Sequence, residues 1–346
     1  MVKGYFITGV FAALLSASLF GVSTPFAKLL LADIGPWLMA GLLYLGAGIG
    51  LGCIGVIQKG ERAKLRADEW PWFLGAIASG GIIGPVLLML GLTGTSGSSA
   101  SLLLNAEGVF TALLAWFVFK ENFDRRIALG MVAIVAGAAV LSWSGSFNLD
   151  DLWPPLAVLG ACFFWGLDNN LTRKVSLSDA RQITTIKGLV AGTTNTAIAF
   201  ALGAELPEVA FIISAGLVGF LGYGVSLVLF VIALRDLGTA RTGAYFSTAP
   251  FVGALVAIPL LGEDVTVQLL IAGALMAFGV WLHLTEVHEH EHHHEALEHT
   301  HAHVHDVHHD HQHEDIPEGP HVHWHRHEPM RHKHPHYPDA HHRHDH

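Results

Sequence analysis

Residues 20–28 read FGVSTPFAK and residues 165–173 read WGLDNNLTR; in each, an aromatic-glycine pair opens the stretch and a basic residue closes it eight positions after the aromatic. Working outward at the same offset of 145 residues, Leu14 meets Leu159. Further along, Gly108 and Pro250 each stand thirteen residues before a glutamate, Glu121 and Glu263. That second offset, 142 residues, also aligns Ala112 with Ala254, Leu113 with Leu255, Ala115 with Ala257 and Gly137 with Gly279. Any one match is within reach of chance. Their common order along the chain marks one pattern written twice.

Each copy holds five apolar stretches near the length of about 20 residues that a helix needs to cross the hydrocarbon core. The predicted spans are Phe6–Leu31, Pro36–Ile57, Trp72–Leu92, Ser98–Phe119 and Ile127–Trp143, then Pro154–Leu171, Gln182–Leu202, Val209–Leu234, Thr239–Leu261 and Val265–Thr285. An odd number of crossings turns the second copy over relative to the first, the arrangement of carriers that hold a substrate between inverted halves. The expected fold is an all-α membrane protein of ten transmembrane helices, with one five-helix repeat in residues 1–145 and a second in 146–284. A His-rich tail, 285–346, follows.

Composition agrees. Apolar residues make up 51% of the chain and charged ones 14%, and the mean hydropathy is +0.45, too apolar for a soluble domain that must keep a charged surface. Up to Leu284 there are 15 Lys and Arg, 16 Asp and Glu and one histidine, His283. The 62 residues beyond carry 4 Lys and Arg, 13 Asp and Glu and 24 histidines, and with them almost all of the net charge of -10. Cys53 and Cys162 fall inside predicted helices at no ligand or redox spacing and read as small packing residues.

Orientation follows from the cations. Lys3, then Lys59, Arg62, Lys64 and Arg66, then Lys120, Arg125 and Arg126, then Arg173, Lys174 and Arg181, and finally Arg235 and Arg241 all fall at alternate span ends, 13 in all. The opposite ends carry Asp33, Asp150, Asp151, Glu205, Glu208, Glu263 and Asp264 and no cation. The positive-inside rule then puts both termini in the cytoplasm, with the cell (inner) membrane as the compartment. The first span, with Ser23, Thr24, Pro25 and Lys28 inside it, reads as a retained helix rather than a cleaved signal.

With its aromatic-Gly pairs at Phe20-Gly21 and Trp165-Gly166, and with Gly108 to Glu121 answered by Pro250 to Glu263, the sequence over residues 5–284 resembles the EamA family of the drug/metabolite transporter superfamily. The resemblance implies a ten-helix carrier with both termini inside that often exports amino acids or other small metabolites. In one respect the chain departs from the family pattern: members often carry Glu-Pro midway along the fourth helix, whereas this chain has Glu107-Gly108. A proline kink is therefore not expected there, although glycine still permits close backbone approach. Four-residue glycine spacings at Gly46-Gly50, Gly48-Gly52, Gly80-Gly84 and Gly188-Gly192 suit close helix packing in a bilayer.

Glu107 falls near the bilayer midplane, where an ionised side chain costs about 2.5–3.5 kcal/mol on insertion scales. Such a carboxylate can pass a proton between the two sides, bind a cationic group, or stay protonated within a hydrogen-bonded bundle. Asn105, two positions away, belongs with Ser98 and Ser101 to a different helix face. Trp165, Asp168 and Asn169 end the sixth span, and Asn195 lies in the polar run 193–196 of the seventh. By analogy with the family's central cavity, Tyr223, Tyr245 and Pro250 join the expected lining. Lys28 and Lys187 are expected to snorkel to the membrane surfaces.

The tail alternates histidine with other residues. His288, His290 and His292 begin it, followed by His299, His301, His303 and His305, then His321, His323, His325 and His327, then His332, His334 and His336, and finally His341, His342 and His344. Alternation places neighbouring histidines on one side of an extended chain. With many acids and few apolar residues the segment cannot fold unaided and is expected to be disordered without metal. Neutral imidazole suits divalent Zn, Ni, Co or Cu, so transition-metal ions are expected partners beside a small-molecule substrate and the lipid bilayer. No cofactor is expected for transport, no nucleic-acid partner is expected, and a homodimer is left open. Neither a nucleophile-base set nor a Walker motif points to an enzyme or an ATP-driven pump. Three readings follow: metabolite export with a metal-binding tail, efflux of a divalent metal or its chelate, and a membrane-held metal buffer or sensor.

Overall fold

The computed structural model describes residues 2–57, 65–118, 125–143, 149–175, 179–237, 242 and 245–284, with 289–294, 297–303, 321–327 and 330–335 in the tail. Helix α1 is Val2–Leu30 and α2 is Pro36–Ile57, which has no charged residue along its length. Helix α3 runs through Trp70–Ala76, widens into a π turn at Ile77–Ile83 and continues as Gly84–Gly94. Helix α4 comes in two pieces, Gly97–Leu103 and Ala106–Phe117. Then follow α5 (Arg125–Ser142), α6 (Leu149–Arg173) and α7 (Ala180–Ala201). Helix α8 repeats the form of α3, with Val209–Gly219, a π turn at Phe220–Val225 and Ser226–Leu237. Helices α9 (Ala249–Leu261) and α10 (Val267–Leu284) complete the bundle.

The internal repeat is legible in the packing. Helix α1 lies against α9 and the second part of α8, while α6 lies against α4 and the second part of α3; α2 meets α7, and α5 meets α10. The glycines of the two aromatic-glycine pairs do the same job in both halves. A Cβ on Gly21 would stand 2.2 Å from the Ala249 carbonyl oxygen, and one on Gly166 would stand 2.9 Å from the Thr111 amide nitrogen. Each glycine thus lets the first helix of one repeat touch the fourth helix of the other. The helix breaks are paired as well: tight three-residue turns at Leu104 and Asn105 split α4, and turn residues 247–248 precede α9.

Among the described residues, four helices are long and apolar enough by those measures alone to cross a membrane, namely Gly9–Leu30, Pro36–Gly55, Ala67–Gly94 and Val209–Phe230. The apolar helices Ala128–Ser142, Ala249–Leu261 and Val267–Leu282 are shorter. Breaks in α4 and polar residues in α6 and α7 interrupt the rest. The surface is inverted relative to a soluble protein: Val209, Ile213, Leu217 and Leu221, one every four residues, are exposed along one stripe of α8, while Ser16, Ser23, Thr24, Ser101 and Asn195 are buried. Such a stripe is a liability in water and a lipid-facing surface in a bilayer.

The described parts of the tail are extended. Strand β1 (Glu289–His294) pairs with β4 (Met330–Pro335), and β2 (Leu297–His303) with β3 (His321–His327), both antiparallel. Alternating residues suit an extended backbone, and among the described residues each ladder has two strands. Of the histidines expected to bind metal, His288, His305, His336, His341, His342 and His344 lie outside the described residues, as does Glu121.

Candidate functional site between the two repeats

The π turn of α3 anchors three other helices. The Gly80 carbonyl accepts hydrogen bonds from the Tyr44 hydroxyl of α2 at 2.6 Å and from the Trp165 indole N–H of α6 at 3.0 Å. The next carbonyl, Gly81, accepts from the Asn195 Nδ2 of α7 at 3.2 Å. A π turn widens the helix, and such turns recur at functional sites. All three donors are buried.

The C-terminal part of α6 supplies the charge. Asp168 pairs with Lys187 of α7 and accepts from the Thr172 hydroxyl at 2.9 Å. Both side chains of that ion pair are nearly buried, 10% exposed for Asp168 and 11% for Lys187. The pair fits because position 80 lacks a side chain: a Cβ there would stand 1.9 Å from Asp168 Oδ2. One residue on, Asn169 Nδ2 donates to Glu107 Oε1 at 2.8 Å, and Asn170 Nδ2 donates to the Thr111 carbonyl at 3.1 Å. Consecutive α6 residues therefore serve two partners, Asp168 toward α7 and the asparagines toward α4.

Glu107 occupies the first turn of the second α4 piece, where backbone N–H groups without intrahelical acceptors favour a negative side chain. Beside this polar group lies an aromatic one. Phe20 and Trp165, the matched aromatics of the two repeats, meet with ring centroids 6.2 Å apart. Tyr223, in the π turn of α8, lies 5.7 Å from Phe20 and 5.5 Å from Tyr44.

Of the residues singled out in the sequence, Glu107, Trp165, Asp168, Asn169, Asn195 and Tyr223 converge on this region, and three others do not. Asn105 folds back onto its own helix, donating to the Leu102 carbonyl at 2.9 Å. Tyr245 packs with Ala12, Ala13 and Ala233, and Pro250 is buried in the first turn of α9. Sequence reasoning missed Tyr44, which looks like any membrane aromatic. Lys187, expected to snorkel, instead turns inward to Asp168.

Lys28, the other lysine expected to snorkel, and Glu263, a repeat residue, tie neighbouring helix ends together. Lys28 Nζ donates to the Leu92 carbonyl at 2.7 Å, near the end of α3. Gly262, at φ 64°, ends α9 in a left-handed turn, a conformation that costs glycine little. Glu263 follows and accepts from the Gly97 and Ser98 backbone N–H groups, 2.5 and 2.8 Å away, at the start of α4. Among the described residues of the helical bundle no three or more of His, Cys, Asp and Glu gather into a ready metal site.

A family model for EamA-like transporters matches residues 7–143 and again residues 152–285. The chain belongs to the EamA-like transporter family. It is 30% identical over 295 residues, 79% of this chain and 85% of the relative, to an uncharacterized transporter of Methanothermobacter thermautotrophicus. It is also 40% identical over 86 residues to a probable 4-amino-4-deoxy-L-arabinose-phosphoundecaprenol flippase subunit ArnE of Pseudomonas paraeruginosa, 25% of this chain and 71% of that one. A solved crystal structure superposes with a TM-score of 0.59 over 81% of this chain and 95% of its own, at 16% identity, a likeness of fold alone. This EamA-like protein is accordingly a membrane transporter, and its family points away from an enzyme.

Proposed function

We propose that this chain is a secondary carrier of the cell (inner) membrane, with both termini cytoplasmic, that exports a small metabolite, amino acid or drug-like, by alternating access. The observation that carries the reading is the nearly buried ion pair of Asp168 and Lys187 with the half-buried Glu107, set beside broken and widened helices where the two repeats meet. Discontinuous helices near the midplane are where carriers of inverted repeats hold substrate. Two carboxylates, one ammonium, amides and aromatic faces suit an organic solute bearing an amine. The ArnE relatives, named for a lipid-linked amino sugar, point the same way. Glu107 takes either the substrate's cationic group or the coupling proton.

The His-rich tail binds divalent Zn, Ni, Co or Cu at the cytoplasmic face and there buffers or senses metal. Efflux of the metal itself is the second reading, favoured by the 24 tail histidines. One experiment separates the two. Accumulation of amino acids and of nickel, cobalt and zinc is compared in cells expressing the full chain, the chain cut after Thr285, and Glu107→Gln. Loss of metabolite efflux only in Glu107→Gln, with metal tolerance changed only by truncation, supports the proposal. Loss of metal efflux in both variants supports the second reading, and unchanged fluxes throughout contradict transport by this site.

A further inference from the structure

The two arms of the tail carry a complementarity that transport does not use. In the first ladder His290 lies opposite His334 and His292 opposite His332, with Glu291 opposite Lys333 between them. In the second, His299, His301 and His303 lie opposite His325, His323 and His321, while Glu298 is opposite Arg326, Thr300 opposite Trp324 and Ala302 opposite Val322. Successive residues of a strand alternate between faces. Each ladder therefore collects these histidine pairs on one face and places a pair of opposite charges on the other. The two ladders also share one register: Glu289 pairs with Pro335, and His303, fourteen residues on, pairs with His321, fourteen residues back.

We infer that the arms 289–303 and 321–335 form a clamp for divalent transition-metal ions, in which each ion is held by histidines paired across the strands rather than by neighbours along one arm. The inference rests on the reading that the tail binds metal and specifies how. Opposite residues of an antiparallel pair have Cβ atoms about 4.5–5.5 Å apart, close enough for two imidazoles to share an ion whose metal–nitrogen bonds are about 2.0–2.1 Å. Adjacent pairs on one face, such as His290/His334 and His292/His332, supply the four ligands of a tetrahedral site. The three pairs of the second ladder supply up to six for an octahedral one. Glu291 with Lys333 and Glu298 with Arg326 fix the register, since a slip of one residue moves every histidine to the other face. A lone two-stranded ladder is marginal in water; bound metal closes the arms, so that binding and folding are one event.

The test uses the full-length protein in detergent, titrated with zinc alone, with β-structure followed by circular dichroism. One variant replaces His321, His323, His325, His332 and His334 with alanine, removing one partner from all five histidine pairs. A second replaces five histidines outside the ladders, His305, His308, His309, His311 and His313. A third keeps the histidine count and moves two to the opposite face: His323→Val with Val322→His, and His325→Trp with Trp324→His. The inference predicts that the first variant loses about a hundredfold in zinc affinity, the scale at which a second linked contact contributes, together with the zinc-induced β signal. The third loses both in lesser degree, and the second stays within about twofold. Equal losses in the first two variants, or an unchanged third, overturn the pairing while leaving a metal-binding tail. If the chain cut after Thr285 binds as much zinc as the full chain, metal binding by the tail fails as well.

Discussion

Asp168 and Lys187 are the residues whose chemistry depends most on one another. An ion pair this buried is costly to break, because removing one partner strands the other charge in a medium that solvates it poorly. Lys187→Met alone is predicted to destabilise the bundle by about 3–5 kcal/mol, while Lys187→Met combined with Asp168→Asn recovers most of that loss. Denaturant unfolding in detergent measures both, and additive, sub-kilocalorie effects would mean that water reaches the pair. Glu107→Gln keeps an oxygen for Asn169 and should leave the fold intact. Efflux should nevertheless fall about a hundredfold, the low end of what a positioned proton-transferring group contributes; wild-type flux in vesicles would remove Glu107 from the mechanism. Glu107, Asp168 and Asn169 stand out in the sequence because polar groups in an apolar span need a reason. Lys187 is less legible, since a long flexible side chain near a helix end can bend to the surface or inward and only its neighbours decide.

Helices α3 and α4 show what periodicity leaves unseen. The break at Leu104 and Asn105 has no proline, and its residues are ordinary for a membrane helix. The π turn at Ile77–Ile83 is followed by Pro85, whose missing N–H leaves the Gly81 carbonyl without a helical donor, and side chains from α2, α6 and α7 donate to Gly80 and Gly81 in its place. Gly80→Ala should cost about 1–3 kcal/mol through overpacking against Asp168. Gly108→Ala meets nothing within 4 Å and should be neutral or stabilising by about 0.5–1 kcal/mol. Thermal melts of the two variants side by side check the contrast, and equal shifts would argue against the packing at Gly80. Glu263→Ala removes the acceptor for two α4 N–H groups and should cost about 0.5–2 kcal/mol, as the loss of a helix cap does. Hydrogen exchange at Gly97 and Ser98 reports it directly.

Across the whole molecule the repeat was the most legible feature, because matched aromatics, glycines and glutamates recur in order, and the packing answers them: Phe20 meets Trp165, and Gly21 and Gly166 make reciprocal contacts. Span count was legible from apolar runs, although the described helices clear a length-and-hydropathy test in only four cases, because the helices that build the site are broken or polar. Inversion of the halves is the claim on which alternating access depends, and thiol labelling in intact cells tests it. On a background with Cys53 and Cys162 replaced by alanine, single cysteines are placed at Asp33 and Glu205 and at Arg66 and Lys174. An impermeant reagent should label Asp33→Cys and Glu205→Cys from outside, and Arg66→Cys and Lys174→Cys only after permeabilisation. Asp33 and Lys174 each follow the first helix of their repeat, so labelling of both from the same side would show parallel halves and contradict the account.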